Sequence, residues 1–292
     1  MEEKISYPLL KIMKKGLEDL GKLKFDFKRF IAGVAFGALI ILSIFLLNTL
    51  GFFFICAILI SLSVYELFLI QDLNKPDFFI PPILLSVAVA YSNIFLSADL
   101  FVLILFTASF LLLLKDVLFF NSEKDRSIYL DLFSIIYAGF FLSFIVKIFN
   151  LPQGKLMLML LFIIIWASDI FAYYGGRHFG KHFLHPSLSP KKTVEGAICG
   201  FAGAIGAALF FKILAGNNFE QANIFLYILI AGITAIIGMI GDLAESLIKR
   251  IAGKKDSGRI IPGHGGILDR IDSLILAAPV FYYMFFYLIL KK

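Results

Sequence analysis

The sequence predicts an all-α, polytopic integral membrane protein with about nine transmembrane helices. Three observations predict it. Of 292 residues, 60% are hydrophobic and 34 are Phe; an average soluble domain is about 45–50% apolar. Only 16% are charged, against about 25% on average, and the mean hydropathy is +0.91. The apolar residues also come in runs, each near the roughly 20 residues that a helix needs to cross a hydrocarbon core.

Residues 1–29 carry Lys4, Lys11, Lys14, Lys15, Lys22, Lys24, Lys28 and Arg29 among scattered apolar residues. This reads as an amphipathic cytoplasmic segment lying on the membrane surface. It is too long and too charged for the n-region of a cleavable signal, so the first apolar run is expected to remain as a span. Spans are expected near 30–48, 50–70, 78–94, 98–115, 128–148, 156–175, 194–214, 223–250 and 273–290. About five fall in an N-terminal membrane half, 30–150. About four fall in a catalytic C-terminal half, 151–292, with cytoplasmic loops 175–193 and 251–272. Pro81 and Pro82 are expected to kink the third span. Gly196, Gly200, Gly203 and Gly206 recur at helical spacing and would let a neighbouring helix approach closely. Cys56 and Cys199 lie inside apolar runs and read as small core residues rather than a disulfide. There is no internal repeat, no low-complexity tract and no soluble domain.

The net charge is +6. With the N-terminus in the cytoplasm, Lys75, Lys115, Lys124, Arg126, Arg177, Lys181, Lys191, Lys192, Lys249, Arg250, Lys254, Lys255, Arg259 and Arg270 all fall on the cytoplasmic side. Lys155, Lys291 and Lys292 fall opposite. Such asymmetry is how cytoplasmic loops of membrane proteins are charged, through the inner leaflet's anionic headgroups. It accounts for the basic balance without a nucleic-acid partner. It also puts loops 175–193 and 251–272 on one face.

The eighth span is about 28 residues, or about 42 Å at 1.5 Å per residue, longer than a hydrocarbon core of about 30 Å. Its polar end must protrude or line a wet cavity. Asp242, Glu245, Ser246 and Lys249 sit at i, i+3, i+4 and i+7 and share one face. A polar face at that depth marks a functional site, although Glu245–Lys249 is also an ordinary i,i+4 pair. The loop "KKDSGRIIPGHGGILDRID" follows. Lys254, Lys255, Arg259 and Arg270 supply cations, and Gly258, Gly263, Gly265 and Gly266 let backbone N–H groups approach a ligand. Asp269 and Asp272 are partly explained as helix capping. Cations, backbone donors and carboxylates together suit a metal-bound polyphosphate, since Mg²⁺ takes one or two carboxylates plus substrate phosphates.

The sixth span adds Asp169, alternatively a proton-relay or packing residue. "SPKKTVEG" follows, with Ser189-Pro190 read as a turn and Thr193 as a helix cap. Lys191 and Lys192 read either as interfacial snorkelling residues or as part of the anion-binding basin. His264 is an acid, a ligand or a loop hydrogen-bonder. His178, His182 and His185 are spaced like ligands, but their loop holds no carboxylate. They read as interfacial polar residues, and at His264, with no Cys or second His nearby, no zinc site is expected. Glu66, Asp99 and Asp131 at span ends receive no role, Glu66 being a candidate for the same cavity. Acids within spans also leave a cation-coupled transporter open.

These residues resemble one family, the phosphatidate cytidylyltransferases (CDP-diacylglycerol synthases). Ser246, Ile248, Lys249, Arg250, Lys255, Asp256, Gly258, Ile261, Pro262, His264, Gly265, Gly266, Ile267, Asp269, Arg270, Ile271 and Asp272 meet its C-terminal signature without departure. "SPKKTVEG" and the Asp169–Lys181 segment are similar to family motifs, with less typical flanks at Ser168 and Ile170. The resemblance covers 169–196 and 241–273 and, further upstream, only hydropathy. It implies that CTP and phosphatidic acid are converted to CDP-diacylglycerol and pyrophosphate with Mg²⁺, by a homodimer in the inner membrane whose active site faces the cytoplasm. Asp242 and Asp269 would be metal ligands, with room for a second cation, and Asp169, Asp256 and Asp272 further acids. Lys191, Lys192, Thr193, Lys249, Arg250, Lys255, Arg259 and Arg270 would bind phosphates, and His264, Gly265 and Gly266 would shape the loop. A sister enzyme using another lipid phosphate is the nearest alternative.

Overall fold

The computed structural model describes residues 33, 35, 37–118, 127–216, 223–258, 260 and 265–291. The segment expected to lie on the membrane surface, 1–29, is outside them. The first helix, α1, is described as a short apolar helix over Gly37–Leu46. Eight helices long and apolar enough to cross a membrane follow: α2 (Thr49–Ile70), α3 (Pro76–Phe95), α4 (Ala98–Leu118), α5 (Tyr129–Phe149), α6 (Gly154–Phe179), α7 (Val194–Ala215), α8 (Ile224–Ile251) and α9 (Leu268–Leu290). The chain is a multi-pass membrane protein of essentially all-α architecture, and with α1 the expected count of about nine holds among the described residues.

Contacts sort the helix ends into two faces. At one face, Lys254 Nζ donates to the Leu69 carbonyl at 2.8 Å and to Asp72 Oδ1 at 2.5 Å. At the other, Thr49 Oγ1 donates to Asn150 Oδ1 at 2.7 Å and Lys155 Nζ to the Phe45 carbonyl at 2.9 Å. The segments after α6 and α8 therefore open on the same face, as the distribution of basic residues predicts.

Phe144, Leu158 and Phe281 on α5, α6 and α9 are fully buried, whereas Phe106 on α4 and Ile213 on α7 point outwards. The outward apolar residues suit a lipid solvent, where nothing drives them inside. What holds α7 to the bundle is close backbone packing. A Cβ on Gly196 would stand 2.8 Å from the Ala172 carbonyl and 3.1 Å from Gly176 Cα, and one on Gly200 2.8 Å from the Ser168 carbonyl. Gly203 lies against Phe171, with 2.6 Å from that Cβ position to Phe171 Cβ, while Gly206 faces open space. Three of the four expected glycines thus form the α6–α7 contact. Gly200→Val should destabilise the protein by about 1–3 kcal/mol, because backbone cannot yield as a side-chain tip does. Thermal unfolding in detergent micelles measures this, with Gly206→Val as the near-neutral comparison.

Two expectations need correction. No strand is expected from the sequence, yet β1 (Phe183–His185) and β2 (Ser189–Thr193) form an antiparallel hairpin, with Phe183 opposite Thr193 and His185 opposite Ser189. Ser189 and Pro190 belong to β2 rather than to a turn. Strands of three and five residues are too short for a period-2 pattern to be legible. The last helix also begins at Leu268 rather than near 273, so Asp269, Arg270 and Asp272 are helical residues, not loop residues. The reason is that other side chains accept the N–H groups at its start, as follows.

Candidate active site

The polar face of α8 forms as its spacing requires. Lys249 pairs with Glu245 one turn before it and with Asp269 Oδ1 of α9 at 2.6 Å. Glu245 is fully buried, and Lys249 is the cation that faces it. Toward the middle of the helix, Asp242 pairs with Lys192 on β2. Strand alternation explains the choice of partner: successive side chains leave opposite faces, so Lys192 turns in while Lys191 is exposed. Gly241 sets the spacing between α8 and α9. A Cβ there would lie 2.7 Å from the Asp272 carbonyl, so its absence brings Asp242 beside Asp272.

Asp269 takes four contacts. Its Oδ2 accepts from Gly266 N at 2.8 Å, Ser257 N at 3.1 Å and Ser257 Oγ at 2.8 Å, and its Oδ1 holds Lys249. A carboxylate has about four acceptor positions, two on each oxygen; three donors crowd Oδ2 and one meets Oδ1. The residue therefore closes the loop between Ser257 and Gly266 at its base. Gly265 sits at φ +82°, a conformation that suits glycine alone. Asp272 Oδ1 accepts from Ser273 N at 2.6 Å, and the charges of Asp242, Asp169 and Lys192 act on it. Asp169 on α6 is exposed and feels Asp242, Lys192 and Arg270. Asp169, Asp242 and Asp272 from three helices, with Lys192 and Arg270, thus share one basin at one end of the bundle.

The other predicted residues take distinct places. Thr193 caps α7, accepting from Gly196 N at 3.1 Å. Arg250 Nε donates to the Leu188 carbonyl and its terminal nitrogen to the Lys254 carbonyl, both at 3.2 Å, tying the hairpin turn to the loop after α8. Lys255 and Asp256 are exposed on that loop. Arg259 and His264 lie outside the described residues. The histidine loop itself holds no carboxylate, as read, but one reaches it from the next helix: His182 Nδ1 is 2.6 Å from Glu195 Oε1, and Glu195 Oε2 accepts from Lys181 N and His182 N. The carboxylate comes from the first turn of the next helix, beyond the loop in sequence.

In the sequence, Glu66 is a candidate for the same cavity but is assigned no role. It is fully buried on α2, accepting from Ile267 N at 2.9 Å, Leu268 N at 2.8 Å and Ser257 Oγ at 3.1 Å. Its only signal was an acid one turn inside a span. Asp131, likewise fully buried, is explained by its pair with Lys115.

Among the described residues, no three carboxylate, imidazole or thiol side chains converge closely enough to hold a metal ion unaided. Mg²⁺ bound with a nucleotide takes one or two carboxylates, and phosphates complete the shell. The residues fit such an ion as one shared with a substrate.

The sequence profile of the Cytidylyltransferase family matches residues 27–288. The chain belongs to this family. Its curated relatives include the phosphatidate cytidylyltransferase of Haemophilus influenzae, 44% identical over 138 residues, or 47% of this chain and 48% of that one. That of Thermotoga maritima is 39% identical over 155 residues, 52% and 57%. That of Staphylococcus haemolyticus is 39% identical over 180 residues, 60% and 66%. The chain spans about half to just under two thirds of the length of these relatives. The family match extends well upstream of the signature, through the helices that hold Glu66 and Asp131.

Proposed function

We propose that this protein transfers a cytidylyl group from CTP to phosphatidic acid, giving CDP-diacylglycerol and pyrophosphate, as a Mg²⁺-dependent step of phospholipid biosynthesis. The observation that carries the reading is the shared basin of Asp169, Asp242, Asp272, Lys192 and Arg270 in a chain of this family. The phosphate monoester of the lipid attacks the α-phosphorus of CTP. An O–P bond forms there and the bond to the β-phosphate oxygen breaks. A phosphomonoester has a second pKa near about 6 and is largely ionised at neutral pH, so no strong base is needed. What the reaction needs is neutralisation and alignment of two anions. Asp242 with one neighbouring carboxylate, Asp272, would hold Mg²⁺, which would supply charge neutralisation of the triphosphate and leaving group. Lys192, Arg270, Lys255 and Arg259 would take the remaining phosphate oxygens, and Asp269 with Lys249 would keep the loop closed against them.

The excess of Lys and Arg on this face supports an active site on the cytoplasmic side of the inner membrane. The lipid phosphate would sit at headgroup depth with its acyl chains among the outward-facing apolar residues. The homodimer implied by family resemblance belongs to this proposal, with the mass of the detergent-solubilised particle as its check.

The test is direct. Purified protein incubated with labelled CTP, Mg²⁺ and phosphatidic acid should yield a labelled lipid and pyrophosphate. Label appearing only with another lipid phosphate would select the sister activity. No lipid label with any phosphorylated lipid would overturn the proposal.

A further inference from the structure

The signature loop is not held by the C-terminal helices alone. Two carboxylates clamp its base. Asp269 binds the N–H groups of Ser257 and Gly266, and Glu66, on α2, binds those of Ile267 and Leu268, 201 and 202 residues further along the chain. Ser257 Oγ sits between them, 2.8 Å from Asp269 Oδ2 and 3.1 Å from Glu66 Oε2. The glycines of the loop fit around the Glu66 carboxylate. A Cβ on Gly258 would stand 2.6 Å from Glu66 Oε1, and one on Gly266 2.5 Å from Glu66 Cδ.

The physical consequence follows from the start of α9. The first N–H groups of a helix have no partner within it, and this end is buried: Ile267 and Leu268 are 6% and 0% exposed. No side chain caps α9 from its own N-cap position. An acid delivered from α2 does so instead, and as an anion it also suits the positive end of the helix dipole. Water cannot replace it in a site that leaves Glu66 fully buried.

We infer that Glu66 is a positioning residue of the active site: by capping α9 and bracketing Ser257 it sets where Asp269, Arg270 and the glycine-rich loop stand. The N-terminal half thereby completes the catalytic machinery rather than serving only as a membrane scaffold. This rests on the cytidylyltransferase reading for its activity readout, and amide exchange gives a readout free of it.

The test compares wild type, Glu66→Gln and Ser257→Ala as full-length protein in micelles. Glu66→Gln keeps the volume but turns an NH₂ group toward backbone donors. Its kcat for cytidylyl transfer should fall at least about thirtyfold, a loss near 2 kcal/mol of transition-state stabilisation. The amides of 266–268 should exchange faster while those of α5 and α6 keep their protection. Ser257→Ala should lose activity in the same direction, and the double variant should lose less than the product of the two single losses, because both cut one bridge. Turnover within threefold of wild type in Glu66→Gln would overturn the inference, as would a fall in kcat with unchanged protection at 266–268. If Glu66→Gln does not insert, Ser257→Ala decides the matter by the same two criteria. A wild-type protein with no transferase activity would instead count against the proposed function, and the exchange result would still test the clamp.

Discussion

Asp269→Asn should lower cytidylyl transfer by about a thousandfold while the protein remains folded and inserted. Its carboxylate receives Lys249 on one oxygen and three N–H or O–H donors on the other. An amide cannot do both. With its oxygen toward Ser257 and Gly266, its NH₂ meets the Lys249 ammonium; turned round, its NH₂ meets two backbone N–H groups. Removing one partner of a buried charge pair costs about 3–5 kcal/mol. If most of that is lost from the segment proposed to bind phosphate, the rate falls by about 10³, at about 1.4 kcal/mol per factor of ten. Insertion survives because the apolar surfaces of α8 and α9 are untouched and Lys249 retains Glu245. Single-turnover transfer, with the elution profile of the micellar protein as the folding control, checks the expectation. Near-normal turnover would remove Asp269 from the mechanism.

Asp242→Asn should be comparably inactive, by about a hundredfold or more, yet no less stable than wild type in the absence of Mg²⁺. The two effects have opposite origins. Asp242 contributes charge to a basin it shares with Asp169 and Asp272, and like charges in one site repel. Replacing it with a neutral amide removes its own share of that repulsion. The lost pair with Lys192 costs little, because both side chains are about one third exposed, 29% and 32%, and exposed pairs contribute about 0–1 kcal/mol. Added Mg²⁺ should raise the melting temperature of the wild type by linkage and leave Asp242→Asn nearly unchanged. Melting curves with and without Mg²⁺, or after chelation, report it. A variant that unfolds earlier than wild type without Mg²⁺ would show that Asp242 is structural.

Much of this site was legible because helical spacing is a rigid rule. Asp242, Glu245 and Lys249 had to share a face, and they do. The glycines of α7 had to mark a close contact, and three of four do. The C-terminal motif carried the family resemblance, which the match over 27–288 bears out. The boundaries were less readable. The start of α9 at Leu268 depends on Glu66 accepting the N–H of Ile267 and Leu268, and nothing near 268 in sequence announces that acid. The hairpin at 183–193 escaped for lack of length. The partner of His182 escaped because Glu195 belongs to the next helix.

By itself the sequence determined the spans, the face on which charge gathers and the residue types of the site. Each of these follows from local composition against the fixed thickness of a bilayer and the fixed period of a helix. Only the tertiary structure decided the partners: Lys192 with Asp242, Lys249 between Glu245 and Asp269, and Glu66 at the head of α9. Buried charges and helix ends must be satisfied by whichever group the packing brings within about 3 Å. That choice is made by helix contacts between residues as much as two hundred positions apart, which no local pattern encodes.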